Sequence, residues 1–139
     1  MILSTKYYSF VSSRSNISEI EKILNYYNLD KCVEEEKYIN FLIASSEALL
    51  NAIVHGNKEN SEKKVELRIV DESNKFTLSI KDEGNGFNLE KIPDPTKDEN
   101  LFKENGRGLF IIKSLVDSFE CISGKEGTEI IISVNKKGD

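Results

Sequence analysis

EALLNAIVHGN, residues 47–57, decides how this chain folds. Glu47, Asn51 and His55 stand at successive four-residue steps inside an apolar run, so on a helix they form one polar stripe. Leu50 and Val54 flank that stripe and place it at the edge of a buried face. Upstream, Ile39, Leu42, Ile43, Leu49, Leu50, Ile53 and Val54 recur at three- and four-residue steps, which predicts one long helix from about Val33 to His55. Gly56 then stops it, as a glycine in the left-handed C′ position does. Spacing alone favours a partly solvated helix edge for the stripe, and for His55 a helix C-terminal residue meeting the dipole.

Residues 5–11 read as a first strand, Ser15 and Asn16 offer caps for a helix from about Ile17 to Tyr27, and Leu29 to Cys32 reads as a short connection. After the long helix, Val65, Leu67 and Ile69 alternate with Glu66 and Arg68. Phe76, Leu78 and Ile80 alternate with Thr77 and Ser79, so two strands meet across a turn at Asp71–Asn74. Residues 83–105 hold both prolines and little periodicity, the mark of a long irregular loop. A further helix begins near Gly108, and strands at about 118–123 and 128–135 close the chain. The order β-α-α-β-β-loop-α-β-β predicts an α+β two-layer sandwich, a mostly antiparallel sheet with helices packed on one face.

Two further places break the pattern. Asp82 continues the parity of Phe76, Leu78 and Ile80, so a carboxylate points to the side the strand buries. Buried charge is costly unless paired or hydrogen-bonded. Gly84-Asn85-Gly86 follows at once, and bare backbone beside a carboxylate suits a flat ligand with an amino group; alone, the motif reads equally as a turn after a strand. Asn105-Gly106-Arg107-Gly108 opens a helix, where free N–H groups and the dipole favour an anion, though a glycine turn before a helix is commonplace. No strand precedes it and no βαβ unit surrounds it, so it is not a dinucleotide fingerprint, and the P-loop pattern is absent.

Composition narrows the classes. The 139 residues suit one domain spanning 1–139, and a net charge of −5 with no basic run argues against nucleic acid or an anionic membrane as partner. No apolar run approaches the roughly 20 residues that span a bilayer, and the start MILSTKYYSF lacks the pattern of a signal peptide. Cys32 and Cys121 lack paired spacing and read as reduced thiols, nothing resembles a zinc site, and the expected location is the cytoplasm.

Taken together, the motifs resemble the GHKL ATPase superfamily. EALLNAIVHGN is similar to its N-box, DEGNGF (82–87) and NGRGLFII (105–112) to its glycine boxes, and GTEIII (127–132) to its last box. Four motifs in order cover nearly the whole chain. EALLNAIVHGN together with the stretch from PDPT (93–96) to GRGLFIIKSLVD (106–117) resembles the bacterial anti-sigma factors that are also serine-protein kinases.

The resemblance implies the Bergerat ATP-binding fold and ATP with magnesium as ligand. Asn51 would hold magnesium through its amide oxygen, and Asp82 would accept from the adenine amino group. Gly84 and Gly86 would let the base lie near the backbone. Gly106, Arg107 and Gly108 would face the phosphates, Thr128 would line the base pocket, and Glu47 would be the general base. Residues 88–105 would form a lid, with Lys97, Lys103 and Arg107 as its candidate phosphate contacts. The chemistry agrees: magnesium takes hard oxygen ligands and few from protein. The implied function is a serine/threonine-protein kinase and anti-sigma-type regulator, a cytoplasmic homodimer. Its substrate would be a STAS (anti-anti-sigma) protein, and a sigma factor or another regulated target would be the second partner. One departure is the first helix, ISEIEKILNYY (17–27), where Glu21 stands beside Lys22 and anti-sigma members tend to carry a basic contact residue. The alternatives are a nucleotide-dependent sequestering module with little catalysis and a histidine-kinase-like ATPase domain. The latter is disfavoured because the one histidine, His55, lies inside the N-box.

Overall fold

A computed structural model describes residues 1–85 and 104–138, with side chains in the second stretch from residue 108 onward. Five strands make one antiparallel sheet in the order β1-β2-β3-β5-β4: β1 Ile2–Val11, β2 Lys64–Glu72, β3 Lys75–Lys81, β4 Ser118–Gly124 and β5 Gly127–Asn135. Strand parity puts one row of side chains across the whole sheet, Tyr8, Leu67, Ile80, Ile130 and Cys121. Leu67, Ile80 and Ile130 in that row are buried, as are Ile69, Leu78 and Ile132 in the next. The two hairpins turn on Ser73-Asn74 and Lys125-Glu126, tighter than the turn expected at 71–74 and the gap left between strands expected at 118–123 and 128–135, because the strands run further than expected. β1 likewise starts three residues earlier than expected, its first residues paired to β2 although exposed.

The helices are α1 Glu19–Tyr26, α2 Leu29–Cys32, α3 Glu35–Leu50 and α4 Glu104–Ser114. A 3-10 turn over Arg14–Ser18 leads into α1, and its cap is Ser13, whose hydroxyl accepts from Ser15 N. Asn16 instead donates to Val11 O at 2.9 Å. The connection expected at Leu29–Cys32 is a helical turn with Leu29 fully buried. Ile20, Ile23, Leu24, Val33, Phe41, Leu49 and Ile112 pack with the buried sheet face into one core. Phe41 and Tyr27 meet the edge of Phe76 at ring-centroid distances of 5.9 and 5.3 Å.

The central helix departs from its expected form in two ways. Its buried stripe is Phe41, Ala44, Ser45, Ala48 and Leu49, and small residues there let the backbone lie close to the sheet. Ile39 and Ile43, which belong to the apolar recurrence that predicts the helix, are each 47% exposed. The α-helix also stops at Leu50 and gives way to one π-turn over Asn51–Gly56, closed by Asn57 N donating to Ala52 O at 2.8 Å. Gly56 is therefore not a left-handed cap. The chain reverses instead through positive φ at Lys58 and Glu59. By length and composition alone, the continuous span Glu35–Gly56 is long and apolar enough to cross a bilayer. In this fold it is the core helix, with Ala48, Leu49, Ala52 and Ile53 buried.

Candidate functional site

The π-turn, the end of β3 and the start of β5 enclose a cavity of about 420 Å³. Asn51 and His55 from the helix, Asp82 just beyond β3, Thr128 and Ile130 from β5 and Leu109 from α4 line it. Asp82 is 5% exposed, so the inward parity read from the sequence holds. Its Oδ1 accepts from Gly84 N at 2.9 Å and from Thr128 N at 3.1 Å. Among the described residues no donor meets Oδ2. Burial pushes the carboxyl above the usual carboxylate range, opposed by the two backbone N–H bonds and by the Lys63 charge.

Glycines form the cradle of this carboxylate. A Cβ on Gly56 would stand 2.1 Å from Asp82 Oδ2, and one on Gly84 would stand 2.2 Å from Gly56 O. Gly127, with φ at +121°, would bring a Cβ to 2.1 Å of Asp82 O. Thr128 closes the arrangement: its carbonyl accepts from Asp82 N at 3.0 Å, and its hydroxyl pairs with that of Ser123 at 2.7 Å. Of these, Asp82, Gly84 and Thr128 are sequence-predicted site residues. Gly56 was read as a helix stop, and Gly127 as the first residue of GTEIII; both lie in motifs that carry the resemblance, but no role as a wall of the site was assigned to either.

At the other end, Gly108 is buried against Asn51, where a Cβ would stand 3.0 Å from Asn51 Nδ2 and 3.2 Å from Oδ1. The structure corrects the reading of this segment: α4 begins at Glu104, not near Gly108. The first four N–H groups of a helix lack intrahelical partners, so Gly106 belongs to that set and Gly108 does not. Gly108 is the place where α4 approaches Asn51. Gly86, Lys97, Lys103 and the 88–103 part of the expected lid lie outside the described residues, as does the Arg107 side chain.

Glu47 is half-buried one turn before Asn51, and it does not contribute to the cavity lining. Lys58, Asn60 and Lys63 do, from the loop between the π-turn and β2, and the sequence reading missed them. Asn57 was also missed. It is 1% exposed, and its Oδ1 accepts from Glu83 N at 2.7 Å. No group of three or more His, Cys, Asp or Glu side chains able to hold a metal occurs among the described residues. Cys32 and Cys121 are free and half-buried. Burial, with the Asp82 charge beside it, pushes the Cys121 thiol up to about 11.

The arrangement can recognise a flat group by one buried acceptor and can hold an anion or a hydrated cation near Asn51. The family of histidine kinase-like ATPase domains matches residues 10–134. Anti-sigma F factors from Bacillus cereus and Bacillus mycoides are each 33% identical over 128 residues, covering 88% of this chain and 85% of theirs. Among solved structures, the RsbU and RsbW domains of Rv1364c from Mycobacterium tuberculosis align over 97% of this chain and 33% of that one, with a TM-score of 0.64 at 14% identity. The catalytic domain of histidine kinase ThkA aligns over 96% of this chain and 99% of its own, at 13% identity and a TM-score of 0.53, and so shares the fold. The chain belongs to the histidine kinase-like ATPase domain family, also called GHKL, on its anti-sigma-factor branch.

Proposed function

We propose that this chain binds magnesium-ATP in the cavity and acts as a serine/threonine-protein kinase and anti-sigma-type regulator in a partner-switching module. The observation that carries the reading is the Asp82 carboxylate. It is buried, fixed through Oδ1 by two backbone N–H groups, and walled by glycines where any Cβ would intrude. A group so placed presents a lone acceptor edge to a flat ligand, as the adenine amino group requires. Asn51, at the far end beside Gly108, would supply one neutral oxygen to magnesium. Few protein ligands are the rule for this ion, whose remaining positions go to phosphate and water, and it would neutralise charge on the triphosphate.

In the transfer, a serine or threonine oxygen of a STAS-domain protein bonds to the γ-phosphorus while the bond from that phosphorus to the β,γ-bridging oxygen breaks. The hydroxyl proton goes to Glu47, and ADP leaves. The second partner is a sigma factor or another regulated target, as the names of the Bacillus relatives suggest. In this reading residues 1–139 act as one ATP-binding unit, the segment 88–105 serves the nucleotide, and the working form is a cytoplasmic homodimer. Calorimetry with magnesium-ATP, followed by phosphate transfer to the cognate STAS protein, tests both halves.

A second reading has a specific observation behind it: Glu47 stands outside the cavity lining. A sequestering module would bind ATP and its partner without transferring phosphate. Tight binding of both, with no phosphorylated STAS product, would establish that alternative.

A further inference from the structure

Asn57 lies directly after Gly56 in sequence and borders the cavity. Its side chain joins three separate stretches of chain. Oδ1 accepts from Glu83 N at 2.7 Å, beyond β3; Nδ2 donates to Ser12 Oγ at 2.9 Å, after β1, and to Lys64 O at 3.0 Å, at the start of β2. Ser12 Oγ in turn donates to Lys63 O at 2.7 Å, and Lys64 N donates to Glu83 Oε2 at 2.6 Å. The network closes on itself immediately behind the carboxylate cradle.

The two walls of the cradle are held by different bonds. Asp82 is fastened to the sheet through Gly84 N and Thr128 N. Gly56 belongs to the helix. Asn57, at the helix end, hydrogen-bonds the segment carrying Asp82 through Glu83 N. It therefore sets the distance between the carboxylate and the helix wall, and so the width of the slot a base would enter. We infer that Asn57 is a positioning residue that fixes the Asp82 carboxylate against Gly56 and thereby sets which base the cavity accepts. The inference rests on the nucleotide reading above.

Base and phosphate ends respond differently if this is right. Asn57→Ala frees Glu83 N and lets the slot relax, while Asn51 and Gly108 at the far end are untouched. Magnesium-ATP, magnesium-GTP and magnesium tripolyphosphate are the probes, each titrated by calorimetry into folded protein. ATP affinity is expected to fall about fivefold or more, the effect of losing one well-placed hydrogen bond. The ATP-over-GTP preference should shrink by a similar factor, with tripolyphosphate affinity held within about twofold.

Lys136→Met is the matched control. It breaks the largely buried Lys136–Asp71 pair at the opposite end of the sheet, so it lowers stability but should keep the wild-type ATP-over-GTP ratio. Asn57→Ser, whose shorter side chain cannot span to Glu83 N, is read the same way if the alanine variant does not fold. A folded Asn57 variant that keeps the wild-type ratio overturns the inference. A ratio that falls equally in Lys136→Met shows a general stability effect and also overturns it. Failure of the wild type to bind ATP at all, with the chain folded, refutes the nucleotide reading itself.

Discussion

Asp82→Asn changes one atom and reverses the chemistry of the cavity floor. In the wild type, Oδ1 accepts from two backbone N–H groups, Gly84 at 2.9 Å and Thr128 at 3.1 Å. Those donors fix the orientation of the new amide. Its oxygen must take the Oδ1 place, because the opposite flip would leave two buried N–H groups facing a third donor. The NH2 group therefore falls where Oδ2 stood, and the cavity side turns from acceptor to donor. An adenine amino group would then meet another donor. Leaving a buried polar group without its partner costs about 1–3 kcal/mol, which weakens ATP binding by roughly 5- to 150-fold. Guanine presents a carbonyl at the same edge and should suffer less, so the ATP-over-GTP ratio falls. The fold should survive, because both bonds to Oδ1 persist and a buried charge is removed. Calorimetry with ATP and GTP near neutral pH is the assay. An ATP affinity within about twofold of wild type, in a folded variant, would refute the assignment of Asp82.

The same substitution has a pH signature. Burial raises the Asp82 pKa in the folded state, so the folded protein holds that proton more tightly than the unfolded chain. The sign is opposite to the ordinary paired carboxylate: the ionised group opposes folding at neutral pH, and the penalty fades as pH falls through the folded pKa. The melting temperature of Asp82→Asn relative to wild type should therefore rise from about pH 4 toward neutrality. Wild-type ATP affinity should begin to fall, on acidification, above the ordinary aspartate value of about 3.9. A difference in melting temperature that is flat across this range would contradict the buried-charge account.

Gly56→Ala places a methyl group 2.1 Å from Asp82 Oδ2, so the helix end or the carboxylate must move. Overpacking of this kind costs about 1–3 kcal/mol, to be read from chemical denaturation, and ATP binding should be lost with it. Glu47→Ala should leave ATP affinity within a few-fold while phosphorylation of a STAS partner drops by about a hundredfold, whereas Asn51→Ala should weaken magnesium-ATP binding and transfer together. Wild-type phosphorylation by Glu47→Ala would place the base elsewhere. Cys121, with its thiol pushed up to about 11, should react slowly with iodoacetamide at neutral pH, and Asp82→Asn should accelerate it by removing a neighbouring negative charge. Labelling at the rate of a free thiol would contradict the burial that causes the shift.

What the sequence disclosed depended on whether the signal was local. Asp82 was legible because a strand has a period of two, and a carboxylate in phase with Phe76, Leu78 and Ile80 has to point inward. Asn51 was legible as a polar break in an apolar helix. Gly56 was not: its lack of a side chain answers to a carboxylate 26 positions later, a contact that only the folded chain creates. Gly127 answers to the Asp82 carbonyl in the same way. Ile39 and Ile43 misled because α3 lies on the sheet through Ala44 and Ala48, and small residues at a close approach carry a weaker periodic signal than the isoleucines they displace. Gly106-Arg107-Gly108 looked like a helix start because glycine is a poor interior helix residue. The tertiary approach of α4 to Asn51 overrode that preference at Gly108.

The π-turn explains how one helix serves both ends of the cavity. In an α-helix each residue advances about 100° around the axis, so a turn containing one extra residue rotates everything after it by about that angle. The bond from Asn57 N to Ala52 O spans five residues and closes such a turn. Upstream of it, Asn51 keeps the register of α3 and meets Gly108. Downstream, Gly56 and Asn57 are turned away from that register. Gly56 presents bare backbone to the Asp82 carboxylate, and Asn57 presents its amide oxygen to Glu83 N. A regular helix through the same residues would aim only one of these ends correctly. A π-turn loses regular hydrogen bonding and persists where the surroundings fix it. Here the Asn57 network and the glycine cradle supply that fixing, so the irregular turn and the shape of the cavity rest on the same few contacts.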